Sequence, residues 1–345
     1  MKRLLATVLA VAALGATSAA CSTSPSSASR GGLRLGYFAN VTHATALVGV
    51  ERGTFAAKVG KLDTQVFNAG PAAVEAIFAG AIDATYIGPN PAINAYVKSK
   101  GDAIRIISGA TSGGAQLVVK PGIKSANDLR GKTLATPQLG NTQDVALRAW
   151  LASNGLKTDP QKGGDVEIAP QENAQTLELF KSGQIAGAWV PEPWASRLVL
   201  DGGGEVLLDE KSLWPDGTFV TTHLVVATKF LEDDPITVKR LLEAHVETTD
   251  WIVKNPAEAK TVVNAALERL TTKRLAPAVL DRAFANLTVT YDPIATSLVA
   301  SATHAVEVGL LAKPDLAGIY DLRPLNAVLA EQNRPAVSDA GLGRH

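Results

Sequence analysis

The stretch Leu-Arg-Leu-Gly-Tyr-Phe-Ala-Asn-Val-Thr-His-Ala-Thr-Ala-Leu-Val-Gly-Val-Glu-Arg-Gly, residues 33–53, decides the fold. Its apolar residues alternate over 33–37, which predicts a short strand, and residues 44–50 form a small apolar run typical of a helix. Asn40 and Thr42, between the two, are residue types that cap helix N-termini. Because the first amides of a helix have no intrahelical partner, a strand that ends at such a point builds an anion site.

The same strand-then-helix unit recurs along the chain. Further strands are predicted at 62–67, 83–87, 104–108, 132–136, 166–169 and 186–190. This alternation predicts an α/β fold of mostly parallel sheets flanked by helices. Ligands on such sheets bind beyond the carboxyl ends of the strands. The loops at those ends are 88–91, 109–114, 137–142 and 191–194.

Two extended segments, 116–120 and 221–228, predict how the chain is divided. If both cross between two lobes, the second lobe is an insertion in the first, and the crossing pair acts as a hinge. The prediction is therefore a discontinuous first lobe, 33–117 and 225–335, and a second lobe, 118–224. Residues 336–345 are expected to form a disordered tail.

The N-terminus has the anatomy of a secretory leader. Lys2 and Arg3 precede an apolar run over 4–14, and small residues lead to Cys21. Cys21 resembles the lipidated residue of bacterial lipoproteins, although Ser18 stands where such signals usually carry an aliphatic residue. We expect residues 1–21 to be a lipoprotein-type signal peptide, 22–32 a flexible tether, and the protein to be extracytoplasmic and anchored to the cell membrane. The alternative is an ordinary cleaved signal.

Composition excludes several classes of function. The chain has 33 Lys+Arg and 33 Asp+Glu with no basic stripe, which argues against nucleic acid as a partner. One cysteine excludes an internal disulfide and any cysteine-based metal cluster. The sequence contains no Gly-x-Ser-x-Gly stretch, no zincin spacing and no phosphate loop. We therefore expect no enzyme activity, no metal and no cofactor.

Three motifs, at 36–44, 88–93 and 189–194, together resemble the extracytoplasmic substrate-binding proteins of ABC importers, in the aliphatic-sulfonate, taurine and nitrate group. The resemblance implies a type II periplasmic-binding-protein fold, a two-lobed clamp that closes on a small ligand. It also implies separate permease and ATPase subunits as partners, and we expect a monomer. The interpretation is a solute-binding lipoprotein for a small organic anion such as an aliphatic sulfonate.

Other functions stay open on the sequence alone. Relatives of this fold bind nitrate or a thiamine-precursor pyrimidine, and a ligand-sensing receptor is a further alternative. An enzyme of the pyrimidine-synthase type is disfavoured because the leader directs the chain out of the cytoplasm.

A buried sulfonate needs several donors, because burying its charge uncompensated is prohibitive. Three or four charge-assisted hydrogen bonds, at about 1.5–3 kcal/mol each, meet the roughly 8 kcal/mol of a micromolar site without an arginine. The candidates are Asn40, Thr42, His43, Gly88, Asn90, Ser112, Gly113, Gln138, Gly140, Asn141, Thr142, Glu192, Trp194 and Tyr291.

Several of these candidates have a purely structural alternative. Asn40 and Thr42 could serve as helix caps without touching a ligand, and His43 could be a packed neutral imidazole. Glu192 would meet either a cation of the protein or an amine on the ligand. Trp194 would lie against an alkyl chain or in the core.

Overall fold

The computed structural model describes residues 32–344. The strands within that range are β1 Gly32–Phe38, β2 Lys61–Phe67, β3 Ala84–Ile87, β4 Ile104–Gly113, β5 Ala115–Val119, β6 Thr133–Thr136, β7 Glu167–Pro170, β8 Gly187–Pro191, β9 Glu205–Asp209, β10 Val220–Ala227 and β11 Leu287–Val289. The helices are α1 Ala44–Glu51, α2 Thr54–Val59, α3 Gly70–Phe78, α4 Pro89–Lys98, α5 Thr142–Ser153, α6 Asn173–Lys181, α7 Trp194–Leu200, α8 Thr228–Asp233, α9 Pro235–Lys254, α10 Pro256–Thr271, α11 Pro277–Ala285, α12 Thr296–Glu307 and α13 Arg323–Glu331.

The strands form two mixed sheets, which gives the predicted α/β architecture. The first has the order β11-β4-β10-β3-β1-β2, and the second has the order β7-β6-β8-β5-β9. Strands β1, β2 and β3 are parallel, as are β6, β7 and β8. β10 runs antiparallel to both of its neighbours, and so does β5. In each sheet one antiparallel strand, β10 or β5, is the strand through which the chain arrives from the other sheet.

We define the first lobe as residues 32–113 and 220–344, and the second lobe as residues 115–209, because the two sheets divide the chain in this way. The predicted boundaries at 117/118 and 224/225 are wrong by a few residues, since they cut through β5 and β10. Each of these strands pairs entirely within one sheet, so the chain passes between the lobes at Gly114 and over 210–219.

Both faces of the first sheet carry a hydrophobic core. Leu224 and Val226 of β10 pack in one cluster with Leu33 and Leu35 of β1, whereas Val225 packs in a second cluster on the opposite face. The second sheet is likewise packed on both faces, with Leu117 in one cluster and Val118 in the other. This alternation follows from the two-residue period of strand side chains. Packing on both faces holds each sheet in place, and with it the strand ends that carry the site loops.

Some local predictions were wrong. The loop expected at 109–114 is largely strand, because β4 continues to Gly113 by pairing with β10 and β11. The tail expected to be disordered is packed over 336–344: Val337 donates its amide to Asn326 Oδ1 at 2.9 Å, and Gly318 donates to the Leu342 carbonyl at 3.1 Å. Helices α2, α8 and α13 were not predicted.

Among residues 32–344, no helix is long and apolar enough to cross a membrane. The predicted signal peptide, Cys21 and nearly all of the tether lie outside the described residues.

Candidate functional site

The N-termini of four helical segments converge between the lobes. Asn40 precedes the 3-10 turn Val41–His43 that leads into α1, and Gly88 is the N-cap of α4. From the second lobe come Asn141, the N-cap of α5, and Asn173, the first residue of α6. Because each helix N-terminus carries unpartnered amides and partial positive charge, the arrangement concentrates positive potential at one point.

These four residues line a small space that we call the inner cavity. Its volume is about 20 Å³, which is room for the centre of roughly one water molecule. The lobes are therefore closed on each other here. The remaining lining residues are Phe38, Thr42, His43, Asn68, Pro137, Thr142, Gln143, Pro191, Thr221 and Thr222.

The inner cavity carries no formal charge on the side chains that line it within the described chain. Its single titratable side chain is His43, and burial lowers the pKa of this imidazole to about 3. His43 Nδ1 accepts the Phe38 amide hydrogen at 3.3 Å, so the neutral ring carries its proton on Nε2 and can donate there. A bound anion would meet neutral donors and helix dipoles, with no cationic side chain.

Two buried polar atoms at the inner cavity have no hydrogen-bond partner: Thr142 Oγ1 and Asn173 Oδ1. A buried polar group left unpaired costs about 1–3 kcal/mol, so both are positioned for a group that the protein itself does not supply. Thr142 Oγ1 lies against Gly88 of the other lobe, where an added Cβ would come within 2.2 Å of it. The backbone approach at Gly88 thus depends on glycine.

A second space, the outer cavity, adjoins the inner one and has a volume of about 470 Å³. Its apolar wall comprises Phe67, Leu177, Pro193, Trp194, Leu267 and Leu275, and its charged residues are Glu172, Glu178, Arg197 and Lys273. Asn40, Asn68 and Asn173 line both cavities. We call these three asparagines the collar.

Direct hydrogen bonds cross the cleft at the collar. Trp194 Nε1 donates to Asn40 Oδ1 at 2.9 Å, and Asn68 Nδ2 donates to Glu172 Oε1. Trp194 is half-buried and forms part of the outer wall. Its ring therefore faces the cleft and also packs against one hydrophobic cluster of the second lobe.

Glu192 meets a cation of the protein, which was one of its two predicted alternatives. Arg282 Nη1 lies 3.4 Å from Glu192 Oε1, and Asn286 Nδ2 donates to the same oxygen at 2.6 Å. Arg282 also donates to Gln116 Oε1 at 2.8 Å and to Ser196 Oγ at 3.0 Å. Burial raises the pKa of the Glu192 carboxyl, and these donors oppose the shift. We call these five residues the Glu192 cluster.

The structure brings six of the predicted residues together around the inner cavity: Asn40, Thr42, His43, Gly88, Asn141 and Thr142. Gln138 and Gly140 shape the neighbouring turn, where Gly140 has a φ of +73° and donates its amide to Asp144 Oδ2 at 2.9 Å. They do not line the inner cavity.

Besides Gln138, Gly140 and Glu192, four more predicted residues lie outside both cavities. Asn90 Nδ2 donates to the Ser301 carbonyl at 3.0 Å, so its side chain faces α12. Ser112 and Gly113 are strand residues of β4. Tyr291 lines a separate cavity of the first lobe, under the guanidinium of Arg334 at 5.4 Å.

Sequence reasoning missed Asn68, Gln143, Asn173, Thr221 and Thr222. The signal for Asn68 was its position directly after β2, and for Asn173 its position at the start of α6. The two threonines were hidden because β10 was interpreted only as a crossing segment.

Comparison with known proteins identifies the family. The model of the NMT1-like family matches residues 27–267, about two thirds of the chain. The chain belongs to the NMT1-like family. The sequence-based recognition of this group of binding proteins is thereby confirmed.

Individual relatives agree with this assignment. The chain is 29% identical over 231 residues to a binding protein of Brucella abortus strain 2308, covering 66% of this chain and 69% of that one. It is 28% identical over 204 residues to the taurine-binding periplasmic protein of Escherichia coli K12, covering 59% and 61%. The fold superposes on the alkanesulfonate-binding protein SsuA from Xanthomonas axonopodis pv. citri bound to MOPS, with a TM-score of 0.68 and 20% identity, covering 83% and 96%.

Proposed function

We propose that this protein is the solute-binding component of an ABC importer and captures a small organic anion of the aliphatic-sulfonate class between its lobes. The observation that carries the proposal is the inner cavity, where helix N-termini from both lobes converge and no charged side chain of the described chain intervenes. The likeness to a taurine-binding protein and to the fold of an alkanesulfonate-binding protein supports the same ligand class.

The chemistry of the inner cavity suits a delocalised oxyanion. A sulfonate presents three oxygens around one charge, and neutral donors at several helix N-termini can share that charge without a full counter-ion. The hydroxyl of Thr142 and the Nε2 hydrogen of His43 add side-chain donors from opposite lobes. Because the donors come from both lobes, ligand binding and lobe closure stabilise each other.

The proposed cellular role follows the binding function. The protein would be held at the outer face of the cell membrane by lipid on Cys21 and would deliver its ligand to permease and ATPase subunits. It would act as a monomer without turning the ligand over. The periplasmic relative supports the extracytoplasmic location, and the leader and cysteine of the sequence support the anchor.

Nitrate is the second candidate, because the inner cavity is small. A planar anion with three oxygens needs less space than a sulfonate, and about 20 Å³ requires little further opening for it. The outer cavity favours the sulfonate, since nitrate has no tail to fill 470 Å³ beside the same collar.

Isothermal titration calorimetry with ethanesulfonate, nitrate and a neutral pyrimidine tests the proposal. We expect ethanesulfonate to bind most tightly, and a response to the pyrimidine alone would overturn the anion assignment. Thr142→Val, which removes the hydroxyl but keeps the shape, should weaken ethanesulfonate about 10- to 150-fold, the effect of one hydrogen bond to a charged group.

Thr176→Val is the matched control for that variant. Thr176 Oγ1 is also buried without a partner, but it does not line the inner cavity. Its substitution should leave affinity unchanged. Equal effects of the two variants would show that the loss at Thr142 comes from the fold and not from the ligand.

A further inference from the structure

Of the four helical segments of the described chain that begin at the inner cavity, α5 alone carries an acidic residue in its first turn, Asp144. Asp144 is fully buried. Its Oδ2 accepts the Gly140 amide hydrogen at 2.9 Å, and its Oδ1 accepts the Thr136 hydroxyl hydrogen at 2.9 Å. The chain neighbours of these two donors, Pro137 and Asn141, line the cavity. A fixed negative charge therefore lies directly behind the wall of a space proposed to hold an anion.

This charge opposes anion binding in two ways. A carboxylate in the first turn of a helix is stabilised by the positive end of the helix dipole, so it competes with a ligand for the same potential. It also repels the ligand directly, because two like charges about 10 Å apart change a binding equilibrium by roughly 10-fold at an effective dielectric constant of about 20. An uncompensated Asp144 would cancel most of what α5 contributes to the site.

Arg148, one helical turn after Asp144, compensates the charge. Its Nε donates to Asp144 Oδ2 at 3.2 Å, and the exposed fractions of the two side chains are 1% and 0%. Burial removes the screening by water and salt that weakens an exposed pair. Nη1 and Nη2 of Arg148 have no acceptor within the described residues, so no second carboxylate shares the guanidinium charge.

Two other carboxylates of the second lobe have partners of their own. Glu172 precedes α6, but it accepts from Asn68 Nδ2 and lines the outer cavity. Glu192 is paired with Arg282 of the first lobe. The balance of charge behind the inner cavity on the side of α5 is therefore decided by the pair of Asp144 and Arg148.

We propose that Arg148 sets the affinity for the anionic ligand without contacting it, by cancelling the field of Asp144 at the inner cavity. The inference rests on the proposed function, because it requires an anion at the N-terminus of α5. Asp144 is the positioning residue of the pair: through Gly140 and Thr136 it holds the turn that presents Asn141. Arg148 makes this carboxylate compatible with a negatively charged ligand.

Calorimetry with ethanesulfonate on two single variants and their combination tests the inference. Asp144→Asn keeps an acceptor for the Gly140 amide and removes the negative charge, so affinity should rise at least 5-fold. Arg148→Met removes the compensating charge, so affinity should fall at least 10-fold, and Arg148→Lys should restore most of the loss. The double variant carries neither charge and should bind within about 3-fold of the wild-type protein, whereas a merely structural role predicts that losses at the two positions accumulate.

Asp128→Asn is the matched control. Asp128 also accepts backbone amide hydrogens at the start of a helical turn of the second lobe, but it is exposed and lines neither cavity. Its substitution should leave affinity unchanged. Circular dichroism melts identify the variants that are folded at the titration temperature. The double variant is expected to be among them, because replacing a buried ion pair as a whole is often tolerated.

Each outcome decides a specific claim. Weaker binding by Asp144→Asn than by the wild-type protein, or a double variant as weak as Arg148→Met, would overturn the inference about the pair alone. If one single variant does not fold, the direction of the change in the other and its reversal in the double variant decide the same claim. Failure of the wild-type protein to bind ethanesulfonate would overturn the proposed function and this inference together.

Discussion

Of the polar contacts that join the lobes among the described residues, two groups use charge in opposite ways. The Glu192 cluster joins them through a buried carboxylate and a guanidinium, Glu192 and Arg282. The inner cavity joins them through neutral groups and helix N-termini. A fixed ion pair suits a contact whose two partners both belong to the protein. An uncharged set of donors suits a place where the missing charge arrives with the ligand, because a resident cation would need its own counter-ion whenever the ligand left.

The largest expected effect concerns the charged contact. Arg282→Met should destabilise the protein by about 3 kcal/mol, since it leaves the Glu192 carboxylate buried without its cation. Urea unfolding measures the change. Arg130→Met, which breaks an exposed pair with Asp165, is the matched control and should cost less than about 1 kcal/mol. Similar costs at both positions would show that burial of Glu192 carries no special penalty.

A second carboxylate sharpens the comparison, because Glu210 is buried and has no cationic partner among residues 32–344. It lies in the 3-10 turn Glu210–Leu213 between the lobes and accepts the indole hydrogen of Trp189 at 2.8 Å. Burial raises the pKa of this carboxyl to about 7. The folded protein therefore holds the proton more tightly than the unfolded chain, so the stability it contributes is complete below pH 4.5 and is lost as pH rises toward 7.

Glu210→Gln should remove this pH dependence. Relative to the variant, the wild-type protein should lose about 3 kcal/mol of stability between pH 4.5 and pH 8. Thermal melts across that range measure the difference. Parallel curves for the two proteins would mean that the Glu210 carboxyl has the same pKa in the folded protein as in the unfolded chain.

The smallest expected effect is at the neutral contact. Gly88→Ala should weaken ethanesulfonate about 10-fold, because the new Cβ would meet Thr142 Oγ1 and hinder closure until that hydroxyl rotates. Small-angle X-ray scattering would show a larger radius for the liganded variant than for the liganded wild-type protein. A variant that closes and binds like the wild type would show that the lobes need no close backbone approach at this point.

The sequence was most informative where one local rule decided the outcome. Gly-Asn-Thr at 140–142 and Asn-Val-Thr at 40–42 were recognisable helix starts, and the structure brings both to one cavity. Glu192 could not be assigned from sequence, because its partner Arg282 is 90 residues away. The collar was invisible for the same reason: the orientation of Asn40 and Asn68 depends on Trp194 and Glu172 of the other lobe.

The prediction of secondary structure failed where the pairing of distant strands overrides local sequence preference. The glycines at 113 and 114 predicted a loop, yet β4 continues to Gly113 because β10 and β11 lie on either side of it. The polar segment after Ala336 lacks apolar periodicity, but Val337 and Leu342 give it enough apolar surface to pack on the first lobe.

The pairing of β5 with β9 has a consequence for the modularity of the chain. Gln116, near the start of the second lobe, is the direct strand partner of Asp209 at its end. The two termini of this 115–209 segment therefore emerge side by side, as they do in units that tolerate transplantation. Such a cassette could be exchanged between relatives through two adjacent splice points, leaving one half of the ligand's surroundings constant while the other half is replaced.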